Sequence, residues 1–407
     1  RHSVQLIGMK RVGINGFLRY FLFNKAAKKT YIANPDKHFF ILVDLFDLIE
    51  RELFPFWRLF FKRIADAVEI SNLPNEVKEK ISHLFLESIQ SGDLFLTFDG
   101  VKESFALISN AGVLPTVFLT RFDRLQDVIT PQFLDNLQSL REATGDTLSY
   151  VFTSFRDSES FSDVFEKNAY EIFANKIYLK PAGRKDTEII FDALITNYHL
   201  SVQEDIKHKI LSLSGGHLQY LQLSVVILQE LLKKQKEIAP ADLEKNIKDD
   251  ERIALQSEEL WETLMQDEKD LVQKVKQGKK LSLPEKDTDT YIFRSGFLIA
   301  ENNEIHFFSP LFELFMQELQ ESSESLTENE FSKKEHMLFS LLQSHLGHIC
   351  EREKIIETAW PEYKEYGASD WSVDRLVARV RGKLKKQQSM LEIITVRTRG
   401  YKLVNKK

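Results

Sequence analysis

The sequence predicts an α/β domain built on a parallel sheet covered on both faces. A purely helical stretch and two small units combining helices with a strand pair follow it. Three observations carry this. Residues 1–180 alternate short, continuously apolar runs with longer amphipathic segments, the pattern of fully buried parallel strands between covering helices. Residues 186–248 hold helical periodicity only. Residues 251–320 and 326–407 each combine amphipathic helices with two short strand-like runs.

The first strand and helix meet in Leu6–Leu18, LIGMKRVGINGFL. An apolar run leads to Gly8, four residues follow, and Gly13 opens an apolar-periodic helix. This is the frame of a phosphate loop of the form G-x-x-x-x-G-K-[ST]. In such a loop backbone N–H groups cradle the phosphates, the Lys reaches the terminal phosphates and the hydroxyl holds Mg²⁺. Here the Lys position is Ile14 and the Ser/Thr position is Asn15. An Ile cannot offset phosphate charge, and an amide is a poor Mg²⁺ ligand beside a hydroxyl. Two glycines five apart also suit an ordinary strand–turn–helix.

Further strands are predicted at Phe39–Leu45, Pro115–Thr120, Leu148–Ser154 and Lys176–Leu179, with helices at Phe56–Val68, Glu76–Gln90 and Pro131–Glu142. The dense aromatic run Phe54–Phe61 (FPFWRLFF) reads as core rather than as a partner surface. Amphipathic helices follow at Asp186–Asn197, Val202–Ser212 and Leu218–Lys234, with a glycine turn, Ser214–His217, before the last. Helices around Ser257–Met265 and Glu268–Gln277, a strand pair Gly296–Ala300 and Glu304–Phe308, and a helix Pro310–Gln320 give the order of a small winged helix. The polar run Glu321–Ser325 reads as a linker. His199, His208 and His217 recur every nine residues but on different elements, and read as surface or capping residues.

In the last unit, Phe331–Leu342 is a helix with Ser332 and Glu335 spaced as a capping box. Cys350–Trp360 is a second helix and Trp371–Lys386 a third, and Leu391–Val396 with Arg399–Val404 form a hairpin. In the third helix Val373, Val377, Val380 and Leu384 recur at helical spacing and make its buried face. Arg375 and Arg379 lie on another stripe, with Leu376, Arg381 and Lys383 at its borders.

Composition sets limits. Hydrophobic content of 43% and charged content of 29% over 407 residues fit an ordinary globular chain with room for about three domains. No apolar stretch approaches the roughly 18–20 residues a membrane span needs. The lone Cys350 allows no internal disulfide, which points to a reducing cytoplasm. No Cys/His cluster has metal-ligand spacing. The net charge of −6 hides an asymmetry: 371–407 carries eleven Lys/Arg against two Asp/Glu, leaving −15 for the rest. A basic end on an acidic body predicts a polyanionic partner at that end.

Residues 1–320 resemble the STAND and archaeal-type P-loop ATPases of the AAA-like group, in that family's domain order. LIGMKRVG is similar to its GxRRxGKT loop, with Arg11 as the basic residue inside it. VFLTRFDRLQD (Val117–Asp127) resembles its Walker B strand, and YVFTSFRD (Tyr150–Asp157) its sensor strand. LKPAGRKDTEIIFDAL and LSLSGGHLQYLQL resemble the helical lid and its G-G-x-P turn, and the segment behind them a winged helix. The resemblance implies domains at 1–182, 183–250 and 251–320. The departures bear on catalysis. The Walker B Asp falls at Thr120, the acid that polarises the attacking water at Arg121, and the lid Pro at Leu218. A cationic Arg121 cannot act as general base, so no residue is assigned a catalytic role. Asp123 and Asp127 follow the strand instead of ending it. Gly8, Lys10, Arg11, Gly13, Ile14 and Asn15 are left as a vestigial nucleotide site, with weak ATP or ADP binding without Mg²⁺ as the most expected of it.

Residues 326–407 resemble the winged-helix DNA-binding domain of OmpR/PhoB-type response regulators. GHICEREKIIETAW (Gly347–Trp360), SVDRLVARVRGKL (Ser372–Leu384) and ITVRTRGYKL (Ile394–Leu403) carry the likeness. It implies a recognition helix at Ser372–Lys385 and a wing at Thr395–Tyr401. Arg375, Leu376 and Arg379 are expected to face bases, while Arg381, Lys383, Arg397 and Arg399 lie nearer phosphates, with Tyr401 on the wing. Arg375 and Leu376 depart from the small apolar residue and the His usual there. The whole predicts a cytoplasmic, DNA-binding transcription regulator whose ATPase-like module serves sensing, self-association or protein contacts. An active nucleotide switch and a protein-assembly role for the winged helices are the alternatives.

Overall fold

The structure, a computed structural model, describes residues 3–406 apart from 127, 161–174, 235–236, 280, 282–286, 302–303, 326–330, 361–369 and 397–399. It divides into two compact units, Arg1–Met316 and Gln317–Lys407.

The first unit is built on five parallel strands: β1 (Val4–Ile7), β2 (His38–Asp44), β3 (Leu114–Thr120), β4 (Ser149–Ser154) and β5 (Asn175–Tyr178). Their order across the sheet is β2-β3-β4-β1-β5. The phosphate-loop strand β1 is therefore internal, fourth of the five, separated from the Walker B-like strand β3 by the sensor-like strand β4. Alternation along the strands sends side chains to two different helical layers. Phe39, Ile41, Val43, Val117, Leu119 and Phe152 join a large core with Phe56, Trp57, Phe60 and Phe61. Those four aromatics are fully buried, as the core reading of that run expects. On the other face Phe40, Leu42, Phe118 and Val151 pack with Leu18 and Leu22 of the helix Ile14–Phe23.

The layer over the first face includes the helices Leu53–Glu69, Asn75–Ser91 and Leu94–Asn110, and the helix Pro131–Ala143 adds Phe133, Leu134, Leu137 and Leu140 to the same core. The third is absent from the sequence reading. It carries Gly100 and few charged residues, and Gly100 is there for contact: a Cβ on it would lie 2.8 Å from the Phe61 ring. Helices Arg184–Asn197, Glu204–Ser214 and Leu218–Lys234 follow as expected, with a further short helix Pro240–Lys248. Between the second and third, Gly215 and Gly216 take φ of 55° and 77°. A side chain at either would strike a backbone carbonyl, Phe308 O at 1.9 Å or Ala182 O at 2.0 Å, so this turn can only be glycine. Helices Glu251–Glu262 and Gln266–Lys276, the antiparallel pair β6 (Leu298–Glu301) and β7 (Glu304–Phe307), and a helix Pro310–Ser325 complete the order. That last helix corrects the linker expected at Glu321–Ser325, which continues its turns.

The second unit has a helix Lys333–Ser344, strand β8 (Ile349–Glu351), helices Arg352–Ala359 and Asp370–Lys386, and strands β9 (Leu391–Val396) and β10 (Gly400–Asn405). The three strands form an antiparallel sheet in the order β8-β10-β9. Cys350 and Glu351, read as helix, instead pair with Tyr401 and Gly400 in that sheet. The capping box is present: the Ser332 side chain accepts from Glu335 N at 3.4 Å, and the Glu335 carboxylate accepts from Ser332 N at 2.7 Å. No described helix is long and apolar enough to cross a membrane.

Candidate functional site

The loop after β1 has the turn a phosphate loop requires. Gly8 N–H donates to Ser154 O at 3.2 Å, and a Cβ there would sit 2.9 Å from Leu179 O. Arg11 takes φ 61° and Gly13 φ 118°, and Gly13 is the N-cap of Ile14–Phe23. What surrounds the loop is of the chain's own making. Arg11 Nε donates to Glu259 Oε2 at 2.7 Å, and Lys10 Nζ lies 3.9 Å from Glu259 Oε1 and 4.8 Å from the Phe155 ring centroid. Glu259, on Glu251–Glu262, is buried, with these two cations as its counter-charges.

His217 closes the loop from the lid side. Its Nε2 donates to Lys10 O at 2.9 Å, and its Nδ1 accepts from Tyr220 N at 3.4 Å. Those partners fix the neutral Nε2–H tautomer. Burial, opposed by the Lys10 bond and helped by Arg11, pushes the imidazole down to about 4. Of the two roles its spacing suggested, surface or capping, His217 takes the second: it is buried, and the bond from Tyr220 N–H caps the helix Leu218–Lys234. Next to it, Leu218 Cδ2 lies 3.1 Å from where a Cβ on Gly13 would stand.

At the end of the sheet, Arg121 follows β3 with φ 59°, held by its N–H to Thr153 Oγ1 at 2.9 Å. Its guanidinium pairs with Asp44 at the end of β2. It also donates to Asn15 Oδ1, from Nη2 at 2.9 Å and Nε at 3.2 Å, with the Asn15 amide turned to face it. Burial acts to raise the Asp44 carboxyl, but the Phe46 N–H and Arg121 outweigh it and hold it low. Arg121 and Arg124 stack over Phe46 at 5.0 and 5.2 Å. Nearby Asp123 is pushed up by burial, against the pull of Lys10 and Arg124. Asp127 lies outside the described residues. The six loop residues therefore do come together, but with Lys10, Arg11 and Asn15 already engaged. Sequence reasoning missed Glu259 and Asp44 because nothing local marks a partner 248 or 77 residues away.

In the second unit the helix Asp370–Lys386 buries Val373, Val377, Val380 and Leu384, as the spacing predicts. It also buries Leu376, which is 1% exposed. This corrects Leu376 as a base-facing residue: three residues after Val373 and four before Val380, it belongs to the apolar stripe and packs in the core. Arg375 and Arg379 lie on the half-exposed side, with Asp374, Ala378, Gly382 and Lys385 exposed.

Polar contacts along its length hold this helix. At its start Asp374 pairs with Arg352 and accepts from the Tyr401 hydroxyl. Arg352 Nη2 also donates to the Tyr401 oxygen at 3.1 Å. Burial and Asp374 push the Tyr401 phenol up to about 12. Tyr401 is buried, so its hydroxyl ties strand to helix instead of facing outward. In the middle Arg381 donates from Nε to Ile393 O and from Nη2 to Thr395 Oγ1, both at 2.8 Å. Near the end Lys383 Nζ meets the buried Glu335 at 2.7 Å. Arg381 and Lys383, expected near phosphates, are thus bound to their own fold. Arg397 and Arg399 lie outside the described residues. Among the described residues no group of three or more His, Cys, Asp or Glu could hold a metal ion.

Comparison with known proteins bears on both units. The family model for the transcriptional regulatory protein C-terminal domain matches residues 327–403. The heme response regulator HssR of Staphylococcus aureus, in strains JH9 and Newman among others, is 38% identical over 88 residues. That is 22% of this chain, and the match spans only 37% of the length of those relatives. Among solved structures, the Walker-type ATPase of Pyrococcus abyssi is 14% identical, covering 77% of this chain and 90% of that one at a TM-score of 0.46. The ORC2 protein of Aeropyrum pernix is 10% identical, covering 79% and 89% at 0.47. At those scores the sheet order and loop geometry carry the fold class of the first unit by themselves. Residues 327–403 are a C-terminal domain of the OmpR/PhoB-type winged-helix transcriptional regulators, joined in one chain to an α/β unit of P-loop NTPase-like architecture.

Proposed function

We propose that this chain regulates transcription by gripping duplex DNA with its second unit, while its P-loop-like unit hydrolyses no ATP and serves as a sensing or interaction scaffold. The observation that carries the second half is the guanidinium of Arg121 between Asn15 and Asp44. Asn15 stands where a hydroxyl would hold Mg²⁺, and Arg121 where an acid would polarise water. A fixed cation there repels the metal, and Arg121 itself cannot act as a base. Mg·ATP therefore does not fit these residues. With Lys10 and Arg11 turned to Glu259, only the backbone donors of the loop remain for an anion, which supports at most weak, magnesium-free nucleotide binding.

On the DNA side, Arg375 and Arg379 are the base readers on the half-exposed side of the helix, Arg397 and Arg399 the wing's phosphate contacts, and Arg381 and Lys383 positioning residues. The test is a salt titration of residues 317–407 on a selected duplex and on a scrambled one. Arg397→Ala should weaken both DNAs about equally and lower the salt slope by about one. Arg379→Ala should weaken mainly the selected one. Equal losses on both DNAs for Arg379→Ala would show that the helix reads no bases.

A further inference from the structure

We propose that the first unit joins a second copy of the chain head to tail, a basic aromatic helix of one copy seating on an acidic apolar hairpin tip of the next. On Ile14–Phe23, the side chains Phe17, Tyr20 and Phe23 are 51%, 62% and 72% exposed. At three-residue spacing they make one stripe. Arg19, Lys25 and Lys29 are exposed beside them, and among the described residues none of these three meets a carboxylate. Residues 14–31 hold four Lys/Arg and no Asp/Glu.

The complement is the tip where helices Asn75–Ser91 and Leu94–Asn110 meet. Every residue from 89 to 96 is exposed there. Phe95, Leu86 and Leu96 are 74%, 55% and 51% exposed. Residues 86–99 hold three Asp/Glu and no Lys/Arg. An apolar centre with a charged rim of one sign, facing an apolar centre with the opposite sign, is the anatomy of a protein–protein contact. Isolated exposed apolar residues need no explanation, but two contiguous patches of opposite charge do.

Neither patch can cover the other within one chain. The aromatic helix packs on the sheet face of Phe40, Phe118 and Val151. The hairpin belongs to the layer on the face of Ile41, Val117 and Phe152. Two different patches on opposite faces of one sheet make a heterologous contact, which repeats from copy to copy instead of closing as a two-fold dimer. The inference names a partner for the scaffold reading, yet it is independent of nucleotide chemistry. ATP turnover and self-association are read in separate experiments, so either can fail alone.

Sedimentation velocity of the full chain tests it. At about 50 mM salt the mean sedimentation coefficient should climb with protein concentration, and at about 500 mM, where exposed charges are screened, it should fall toward the monomer value. Arg19→Glu with Phe23→Ser, and separately Glu87→Lys with Phe95→Ser, should each stay monomeric, with circular dichroism and duplex affinity unchanged. Mixed, the two variants should form a dimer and stop, because one intact basic face then meets one intact acidic tip. A wild-type monomer at every concentration, variants that associate like the wild type, or a mixture that stays monomeric would each overturn the proposal. So would a monomeric chain whose Arg19 and Phe23 instead hold a single-stranded oligonucleotide.

Discussion

The phosphate loop and the recognition helix both present cations that the sequence offers to a polyanion, and the two differ in what those cations meet. In the loop Lys10 and Arg11 converge on one buried carboxylate, Glu259, and Arg121 is held between Asn15 and Asp44. On the helix the internal partners take Arg381 and Lys383, one to strand β9 and one to Glu335. Arg375 and Arg379 stay on the half-exposed side. In both places groups of the same fold hold cations that the motif alone would offer to a polyanion.

The largest effect that can break this comparison is at Leu376. As a core residue its replacement, Leu376→Ala, should cost the second unit about 2–5 kcal/mol of stability, read by denaturant unfolding of residues 317–407. A base reader would leave stability untouched and weaken only DNA binding. Next, Arg379→Ala should cost about 1–3 kcal/mol on a selected site, measured by fluorescence anisotropy.

A tighter contrast comes from releasing the loop's cations. Glu259→Gln removes the charge that holds Lys10 and Arg11, so ATP binding measured by calorimetry without Mg²⁺ should tighten about tenfold, or 1.4 kcal/mol. No tightening would mean that the loop is closed by His217 and Leu218 alone. The smallest effect concerns acid. His217 has a folded value of about 4 against an ordinary 6.5. Between those values the unfolded chain binds more protons, so this contribution is present above about 6.5 and lost as pH falls toward about 4. Glu335 is raised by burial but lowered on balance by Lys383 and the Ser332 N–H, from an ordinary 4.5. Its contribution is present above 4.5 and lost only below it. The first unit should therefore begin to lose stability at higher pH than the second, and His217→Gln should flatten the first unit's profile between about 4 and 6.5. Thermal midpoints of the two units against pH read this.

Much of this was legible in the sequence because it is local. The strand runs FFILVDL and PTVFLT, the glycine turn before Leu218, the capping box at Ser332 and the apolar stripe of Val373 to Leu384 all sit where their spacing places them. What was missed is non-local or ambiguous. Leu94–Asn110 mixes Gly, Thr and Ser with its apolar residues, so only its packing against Phe61 identifies it. Leu376 borders two stripes, and a helical wheel alone cannot say which one the core takes. Glu259, Asp44 and Glu335 became visible as charge partners only once folding brought them to Arg11, Arg121 and Lys383. The order of acid and basic residues along the chain carries no record of those pairings.

The account rests on one chain holding a working DNA reader beside a nucleotide loop that does no chemistry. Phosphate release from Mg·ATP by the full chain, with and without a selected duplex, measures this most directly. The account predicts no release above the buffer blank in either case while the duplex remains bound. Turnover on the order of 1 s⁻¹ that disappears when Gly13 is substituted would contradict it.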